Sequence, residues 1–450
     1  MNKEIAKLGS NIGIYGLGKT GESVAYFLNQ KGFSLRLYDD FPTNESAAIA
    51  QKLNLEIKSC KNIQDCQNYL KELETIFPAP GLPDDHVALK YARSEEIAIR
   101  GEFDLAQMYD GRPCVAVTGT NGKTTVTMMI EQMLNLSGFA TKAVGNTEVP
   151  LVAAIQDETL SGFVVEASSF RLAQSQEFAP DVGVWLNFSP DHLDVHADLQ
   201  SYETAKARIW KNIKEDQVAL ANEDDPIVMR HTPSNGILRT FGLTAGDSSL
   251  ANDYLCVEGK KLIRVEELSR SAPHDISNAL AAASAAMHAG ATTDAVKQTL
   301  RDFDHLPHRI SFVNKYKGVR WYDDSKSTTP HSVIAAVRNF ENVILVMGGR
   351  NKGLDFKAIL PILDRVKYLI AIGEASEEIE RSLGDMTEVL KASSMQNAVE
   401  KASTLSISGD VVLLSPGCAS FDLYENYKQR GLDFVIKVNN LIKGKQDVNH

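Results

Sequence analysis

Cysteine is scarce and scattered in this chain. The five residues are Cys60, Cys66, Cys114, Cys256 and Cys418, with no C-x-x-C pair. Neither a disulfide framework nor a zinc site is built that way, and the pattern fits a reducing compartment. No apolar run approaches the roughly 20 residues that span a bilayer. Near the start, Lys3 and Lys7 lead into glycine-rich sequence and not into a signal-peptide core. Positive charge is also short: 47 Lys and Arg against 58 Asp and Glu leave a formal net charge of −11. That balance excludes a general nucleic-acid binder, because no surplus of cations is available to neutralise a phosphate backbone. A phosphate-bearing small ligand stays open, since it needs only a local positive site. Low-complexity segments and short repeats are absent. The expectation is a cytoplasmic protein with no nucleic-acid partner and no membrane insertion.

What the chain does have is length and alternation. Its 450 residues, 43% of them hydrophobic and 23% charged, exceed one typical core and predict two to three domains. Apolar runs of strand length alternate with segments of helical period, the mark of α/β domains with parallel sheets. The first segment runs to about Glu102. It carries the strand "NIGIYG", a helix with Val24, Phe27 and Leu28 on one face, the strand "SLRLYDD" and the turn "FPAPGLP". The second opens with a strand at Pro113–Thr118, followed by a helix on which Val126, Met129, Ile130, Met133 and Leu134 recur at helical spacing. Two further buried strands are read in "GFVVEASSF" and "DVGVWLNFSPDHLDVH", and "ISNALAAASAAMHAG" predicts a closely packed alanine-rich helix. The third segment begins near "HLPHRISFV", with strands at "GVRWYDD", "NVILVMGG", "KYLIAIG" and "DVVLLSPG". The domain expectation is 1–102, 103–306 and 307–450.

Two glycine-rich turns sit between a strand and a helix. Gly16-Leu17-Gly18-Lys19-Thr20-Gly21 matches G-x-G-x-x-G, and Asp39 ends the next strand where an acid could meet a ribose hydroxyl. A dinucleotide site, another nucleotide on the helix N-terminus, and a merely tight turn are all compatible with it. The second turn, "VTGTNGKTT", fails the common pattern G-x-x-x-x-G-K-[ST], because Val117 stands where the first glycine belongs. Its physics is nonetheless that of a triphosphate site. Gly119 and Gly122 let the backbone approach an anion, the N–H groups of the helix start face it, Lys123 supplies a cation, and Thr124 offers Mg²⁺ a hydroxyl.

Polar residues then end buried strands: Glu166 after "GFVV", and His192 in "NFSPDHLDVH". A carboxylate suits Mg²⁺ better than a histidine does. Taken singly, both read as cap or loop residues, and Lys206 in "YETAKARIW" reads as a solvated helix lysine. In the third segment, "WYDDSKSTTP", "MGGRNKGLDF" and "LLSPGCASFDLYENYKQRG" put Asp323, Asp324, Lys326, Thr328, Lys352, Ser415, Ser420 and Tyr427 at three strand ends. Each could be turn chemistry; three in one domain point to a shared pocket.

In their order, "GTNGKTT", "EASSF", "NFSPDHLD", "YETAKARIW", "LPHR" and "DDSKSTTP" resemble the Mur ligases, ATP-dependent amide-forming enzymes of peptidoglycan synthesis. The short phosphate loop is that family's variant, shared with folylpolyglutamate synthases. The resemblance covers nearly the whole chain. "GLGKTG", "GGRNKGLDF" and "SPGCASFDLYENYKQRG" are similar to the branch that joins D-glutamate to UDP-N-acetylmuramoyl-L-alanine, and the D-N-P-R motif of the diamino-acid-adding branch is absent.

The resemblance implies three domains: a Rossmann-like one for UDP, a central P-loop-type parallel sheet for ATP, and a Rossmann-like one for the amino acid. By position it assigns Lys19, Thr20, Asp39 and Gly81 to UDP, with Asn146 and Ser168 facing the muramoyl-alanine part. ATP is assigned Gly119, Thr120, Asn121, Gly122, Lys123, Thr124, Thr125, Asn278, Arg309 and Asp324. Mg²⁺ is assigned Thr124, Glu166, His192 and Lys206, the last as a carbamate, and Lys123, His192 and Lys206 stand near the chemistry. D-glutamate is assigned Lys326, Thr328, Lys352, Ser420 and Tyr427. The chain departs from the family at Asp275, where H-N-x-x-N is usual, and at Tyr427, where some relatives have phenylalanine. A monomer is expected, with roles in cell shape and division.

Four rival readings compete. An NAD-dependent oxidoreductase would use the first turn but has no need of an ATP-type loop. A P-loop kinase or motor ATPase would need a separate strand ending in Asp and no third domain. A nucleotide-binding regulator would show no turnover, and a folate-glutamating ligase would lack a UDP-type first domain.

Overall fold

The computed structural model describes residues 8–147, 149–190, 196–303, 308–351 and 354–447. The chain divides into two compact units, Met1–Phe303 and Asp304–His450, each taken by itself below.

The first unit carries two sheets. One has five strands: β1 (Asn11–Tyr15), β2 (Ser34–Tyr38), β3 (Ile57–Lys58), β4 (Thr75–Pro78) and β5 (Ala98–Ile99), all parallel, in the order β3-β2-β1-β4-β5. Its order reverses beside β1, which makes a crevice at the carboxyl ends of β1 and β4, the usual ligand position in such sheets. Val24, Phe27 and Leu28 of the helix Lys19–Gln30 are all buried against it, as their spacing predicts.

The second sheet has nine strands. They are β6 (Cys114–Thr118), β7 (Thr141–Gly145), β8 (Gly162–Glu166), β9 (Val182–Trp185), β10 (Val218–Asn222), β11 (Ile237–Gly242), β12 (Ser248–Ala251), β13 (Tyr254–Val257) and β14 (Lys260–Arg264), in the order β14-β13-β12-β11-β10-β9-β6-β8-β7. The interior strands β6, β8 and β9 are buried at every residue, as parallel strands covered on both faces must be. The alanine-rich helix Pro273–His288 packs without a gap, Ala279 through Ala286 being buried throughout.

The runs "GFVVEASSF" and "DVGVWLNFSPDHLDVH" hold the strands Gly162–Glu166 and Val182–Trp185. One correction applies to the sequence reading of this sheet: it is not wholly parallel, and β12, β13 and β14 make an antiparallel edge. The turns explain that edge. Asn252-Asp253 and Glu258-Gly259 each hold two consecutive residues at positive φ, the geometry that reverses a strand in two residues. Lys317-Gly318 does the same in the second unit.

The two sheets of the first unit are joined through the helix Glu102–Tyr109. The buried Asp104 carboxylate accepts the N–H groups of Gly101, Gln176, Glu177 and Phe178, at 2.8 to 3.0 Å at its nearer oxygen.

The second unit has one sheet of β15 (Ser311–Tyr316), β16 (Val319–Asp323), β17 (Val343–Gly348), β18 (Val366–Ile372), β19 (Val389–Ala392) and β20 (Val411–Leu414), ordered β15-β16-β20-β17-β18-β19. Only the β15–β16 pair is antiparallel. Among the described residues no helix is long and apolar enough to cross a membrane.

Candidate functional site

The short loop follows β6, a strand with no exposed residue, and ends where the helix Lys123–Leu136 begins. Gly122 takes φ +85°, and a Cβ there would lie 2.5 Å from Asn278 Oδ1. Glycine is therefore required twice, by backbone conformation and by the approach of Asn278 from the helix Pro273–His288. Gly122→Ala is expected to leave the sheets folded while nucleotide binding falls more than tenfold; calorimetry with the nucleotide checks it, and native affinity would refute the tight-loop account.

The loop is clamped from the segment that follows β9. Asn187 Oδ1 accepts the N–H groups of Thr120 (3.0 Å) and Asn121 (2.9 Å), and Thr120 Oγ1 donates to the Ser189 carbonyl at 3.2 Å. Lys123 Nζ donates to the Gly119 and Thr120 carbonyls at 2.9 and 3.0 Å. Thr124 is buried and Thr125 half-buried in the first turn of the helix.

Lys206 overturns its bland reading. It is 1% exposed and not a solvated helix lysine. From the helix Leu199–Ala207 its Nζ donates to the Gly119 carbonyl at 2.8 Å and lies 4.5 Å from the centre of the Tyr202 ring. Two ammonium groups thus meet one carbonyl of the phosphate loop.

Glu166 ends β8, next to β6 in register with Val117. It is 3% exposed; Oε1 accepts from Asn146 Nδ2 at 3.1 Å, and Oε2 has no hydrogen-bond partner among the described residues. Thr118 Oγ1, at the end of β6, is likewise buried without one. An oxygen-seeking cation fits there. The donors are hard oxygens at adjacent strand ends, and Mg²⁺ is ordinarily held by one or two carboxylates together with substrate phosphates. No group of three or more His, Cys, Asp or Glu among the described residues could hold a metal ion. His192 and Lys352 lie outside the described residues.

The residues assigned to UDP gather at the carboxyl ends of β1, β2 and β4. A Cβ on Gly21 would stand 1.9 Å from the Gly16 carbonyl oxygen, so only glycine closes this turn. Lys19 is exposed at the helix start, and Gly81 is exposed with open space around it. Asp39 clasps the turn, its carboxylate accepting from the Leu17 N–H at 3.1 Å and the Phe41 N–H at 3.0 Å. Thr20 is buried and accepts from Arg171. Ser168 caps the helix Ser169–Gln174. The acid at Asp275 is balanced by Arg270, 2.9 Å away.

In the second unit, Asp324 follows β16 fully buried. Its carboxylate accepts from Ser415 Oγ at 2.7 Å and from the Ile310 N–H at 3.2 Å. Burial nevertheless pushes its pKa up to about 6, with the Ser327 and Ser415 hydrogen bonds opposing. A folded-state value above the ordinary 3.9 favours the protonated form, so this contribution to stability is full below about pH 4 and lost as pH rises through 6. Asp324→Asn is expected to remove that pH dependence from the hydrogen exchange of β16 and β20; a persisting slope would assign it to another group.

Arg309 is exposed beside Asp324. Lys326 and Thr328 are half-buried in the loop after β16, and Lys326 Nζ is 6.0 Å from the centre of the Tyr427 ring. Ser420 is buried after β20. Two residues escaped the sequence reading here. His308 Nδ1 meets Asp323 Oδ2 at 2.6 Å. Arg430, 2% exposed, braces the same loop through Ser325 Oγ and the Ser325 carbonyl, both at 2.9 Å, and the Cys418 carbonyl at 3.1 Å. Burial lowers its pKa to about 10. Nothing in "YKQRG" marks Arg430 as buried; only the His-Arg of "LPHR" offered a signal.

A phosphate loop set against a buried lysine and a half-partnered carboxylate defines a nucleotide-using group-transfer site. Three family models tile the chain: the Mur ligase MurD-like N-terminal domain over 10–101, the Mur ligase middle domain over 117–286 and the Mur ligase glutamate ligase domain over 308–418. The chain is 34% identical to the UDP-N-acetylmuramoylalanine--D-glutamate ligase of Bdellovibrio bacteriovorus, with 96% of this chain and 98% of the relative covered. It is also 34% identical to the enzyme of that name from Geobacter metallireducens, over 97% and 99%. The solved MurF ligase of Thermotoga maritima in complex with ADP shares the fold, with a TM-score of 0.52 at 18% identity over 98% and 97% of the chains. The chain belongs to the Mur ligase family.

Proposed function

We propose that this protein joins D-glutamate to UDP-N-acetylmuramoyl-L-alanine at the expense of ATP, releasing ADP and phosphate, in the assembly of peptidoglycan precursors. The observation that carries the reading is the pairing of a glycine-rich UDP-type turn with an ATP-type loop in one chain that matches D-glutamate ligases along nearly its whole length. The partition 1–102, 103–306 and 307–450 goes with it, as UDP, ATP and amino-acid domains of a cytoplasmic monomer.

A carboxylate does not acylate an amine unaided. Phosphoryl transfer from ATP to the alanine carboxylate makes an acyl phosphate, and the D-glutamate amine then displaces phosphate. Positioning and charge neutralisation supply most of the rate in such a transfer. Lys123 and the N–H groups of the loop hold the phosphates. Asn278 lies over the loop, and Arg309 and Asp324 are proposed for the rest of ATP. Glu166, Thr124, His192 and the carbamate of Lys206 would hold Mg²⁺, which would supply charge neutralisation there. Asn146 and Ser168 orient the muramoyl-alanine end. Lys326, Thr328, Ser420 and Tyr427, with Lys352, receive D-glutamate; the Tyr427 hydroxyl can donate to a carboxylate where phenylalanine cannot.

The test is phosphate release with UDP-N-acetylmuramoyl-L-alanine, ATP and Mg²⁺ against a panel of amino acids. Release with D-glutamate alone is expected. Equal rates with L-alanine or a diamino acid would overturn the assignment.

A further inference from the structure

One buried cation near the substrate crevice has no part in the chemistry above. Arg171 sits on the helix Ser169–Gln174 and is 9% exposed. Its Nη1 donates to Glu102 Oε2 at 2.6 Å, and Glu102 Oε1 accepts the Val152 N–H at 2.8 Å, so both ends of the carboxylate are fixed. Its Nη2 donates to Thr20 Oγ1 at 2.9 Å, across 151 positions of sequence. One turn on, Gln174 Nε2 donates to the Ala79 carbonyl at 2.8 Å. The same short helix therefore holds two walls of the crevice, the β1 turn and the end of β4. Its cap, Ser168, faces the other end of the proposed substrate.

We infer that Arg171 is a positioning residue for the diphosphate of the UDP substrate, acting through the hydroxyl of Thr20. A threonine hydroxyl has one proton and two lone pairs. The guanidinium occupies a lone pair, which turns the proton elsewhere and polarises the O–H bond. Thr20 lies in the first turn of the helix Lys19–Gln30, where the backbone N–H groups also lack helical acceptors and suit an anion. The hydroxyl becomes a further donor aimed with them. Arg171 and Glu102 together carry no net charge, so the effect lies in the aim of that donor and not in long-range attraction. The inference rests on the UDP reading of this crevice, and the arms of its test separate the two.

The test compares the affinity of the full chain for UDP and for uridine by calorimetry. Glu102→Gln combined with Arg171→Met avoids stranding a buried carboxylate. That variant is expected to bind UDP about tenfold more weakly, the scale of one charge-assisted hydrogen bond, with uridine unchanged. Thr20→Val is expected to lose the same factor, and the triple variant no more. Arg171→Lys should lose part of it in the native background and nothing further on top of Thr20→Val, which keeps the test open if the pair replacement does not fold. An unchanged UDP-to-uridine ratio overturns the inference, as do losses that multiply or an equal loss for uridine. Failure of the native protein to bind UDP at all would remove the UDP reading beneath it.

Discussion

Lys123→Ala is expected to lower ATP-dependent phosphate release by about a thousandfold while the UDP substrate still binds. The ammonium lies against the carbonyls of Gly119 and Thr120. Removing it takes away the cation that offsets phosphate charge and also bares the Thr120 carbonyl toward the anion, while Lys206 still covers that of Gly119. One preorganised donor at a site of developing charge is worth about 10²- to 10³-fold, and the bared carbonyl pushes the effect to the upper end. The helix itself survives, because alanine is the best helix former and Lys123 stands at its first position. UDP binding is spared because the turn Gly16–Gly21 belongs to the other sheet of this unit. Phosphate release beside calorimetry with UDP reads both halves. Near-normal release would remove Lys123 from the chemistry.

Lys206→Ala is expected to lower activity about a hundredfold or more and to recover in part with added formate or acetate. Lys206 is as buried as the core, and its amine meets the Gly119 carbonyl and the Tyr202 face. The carbamate proposal turns this amine into a carboxylate head at the phosphate loop, the charge a hard cation seeks. A small carboxylate can then fill the space that alanine leaves. Rescue by methylamine in place of formate would mean that the ammonium is the working form. Full activity without any additive would remove the carbamate idea.

Local order was legible from the chain alone. The burial of Val24, Phe27 and Leu28 and the close packing of Ala279 to Ala286 follow from spacing and side-chain size, which act within a few residues. The two glycine turns were legible for the same reason. At Gly21 and Gly122 a Cβ would collide with a backbone oxygen or an approaching amide, so the residue type itself records the contact. The antiparallel edge β12–β14 was missed, although its signal was present. Asn252-Asp253 and Glu258-Gly259 are two-residue reversals, outweighed in reading by the parallel pattern around them.

By itself, then, the sequence determined the alternation of elements, the two phosphate-type turns and the order of motifs that marks a Mur ligase. Only the tertiary structure decided that Lys206 is buried against Gly119, that Asn187 clamps Thr120 and Asn121, that Glu166 keeps an oxygen unpartnered, and that Arg171 reaches Thr20. Those contacts span 87, 67 and 151 positions for Lys206, Thr120 and Arg171. Helical spacing and turn chemistry act over a turn or a strand pair. They cannot tell a lysine or arginine that faces solvent from one whose charge is enclosed in the interior. Where each charge ends up depends on which distant backbone groups packing brings within hydrogen-bond reach.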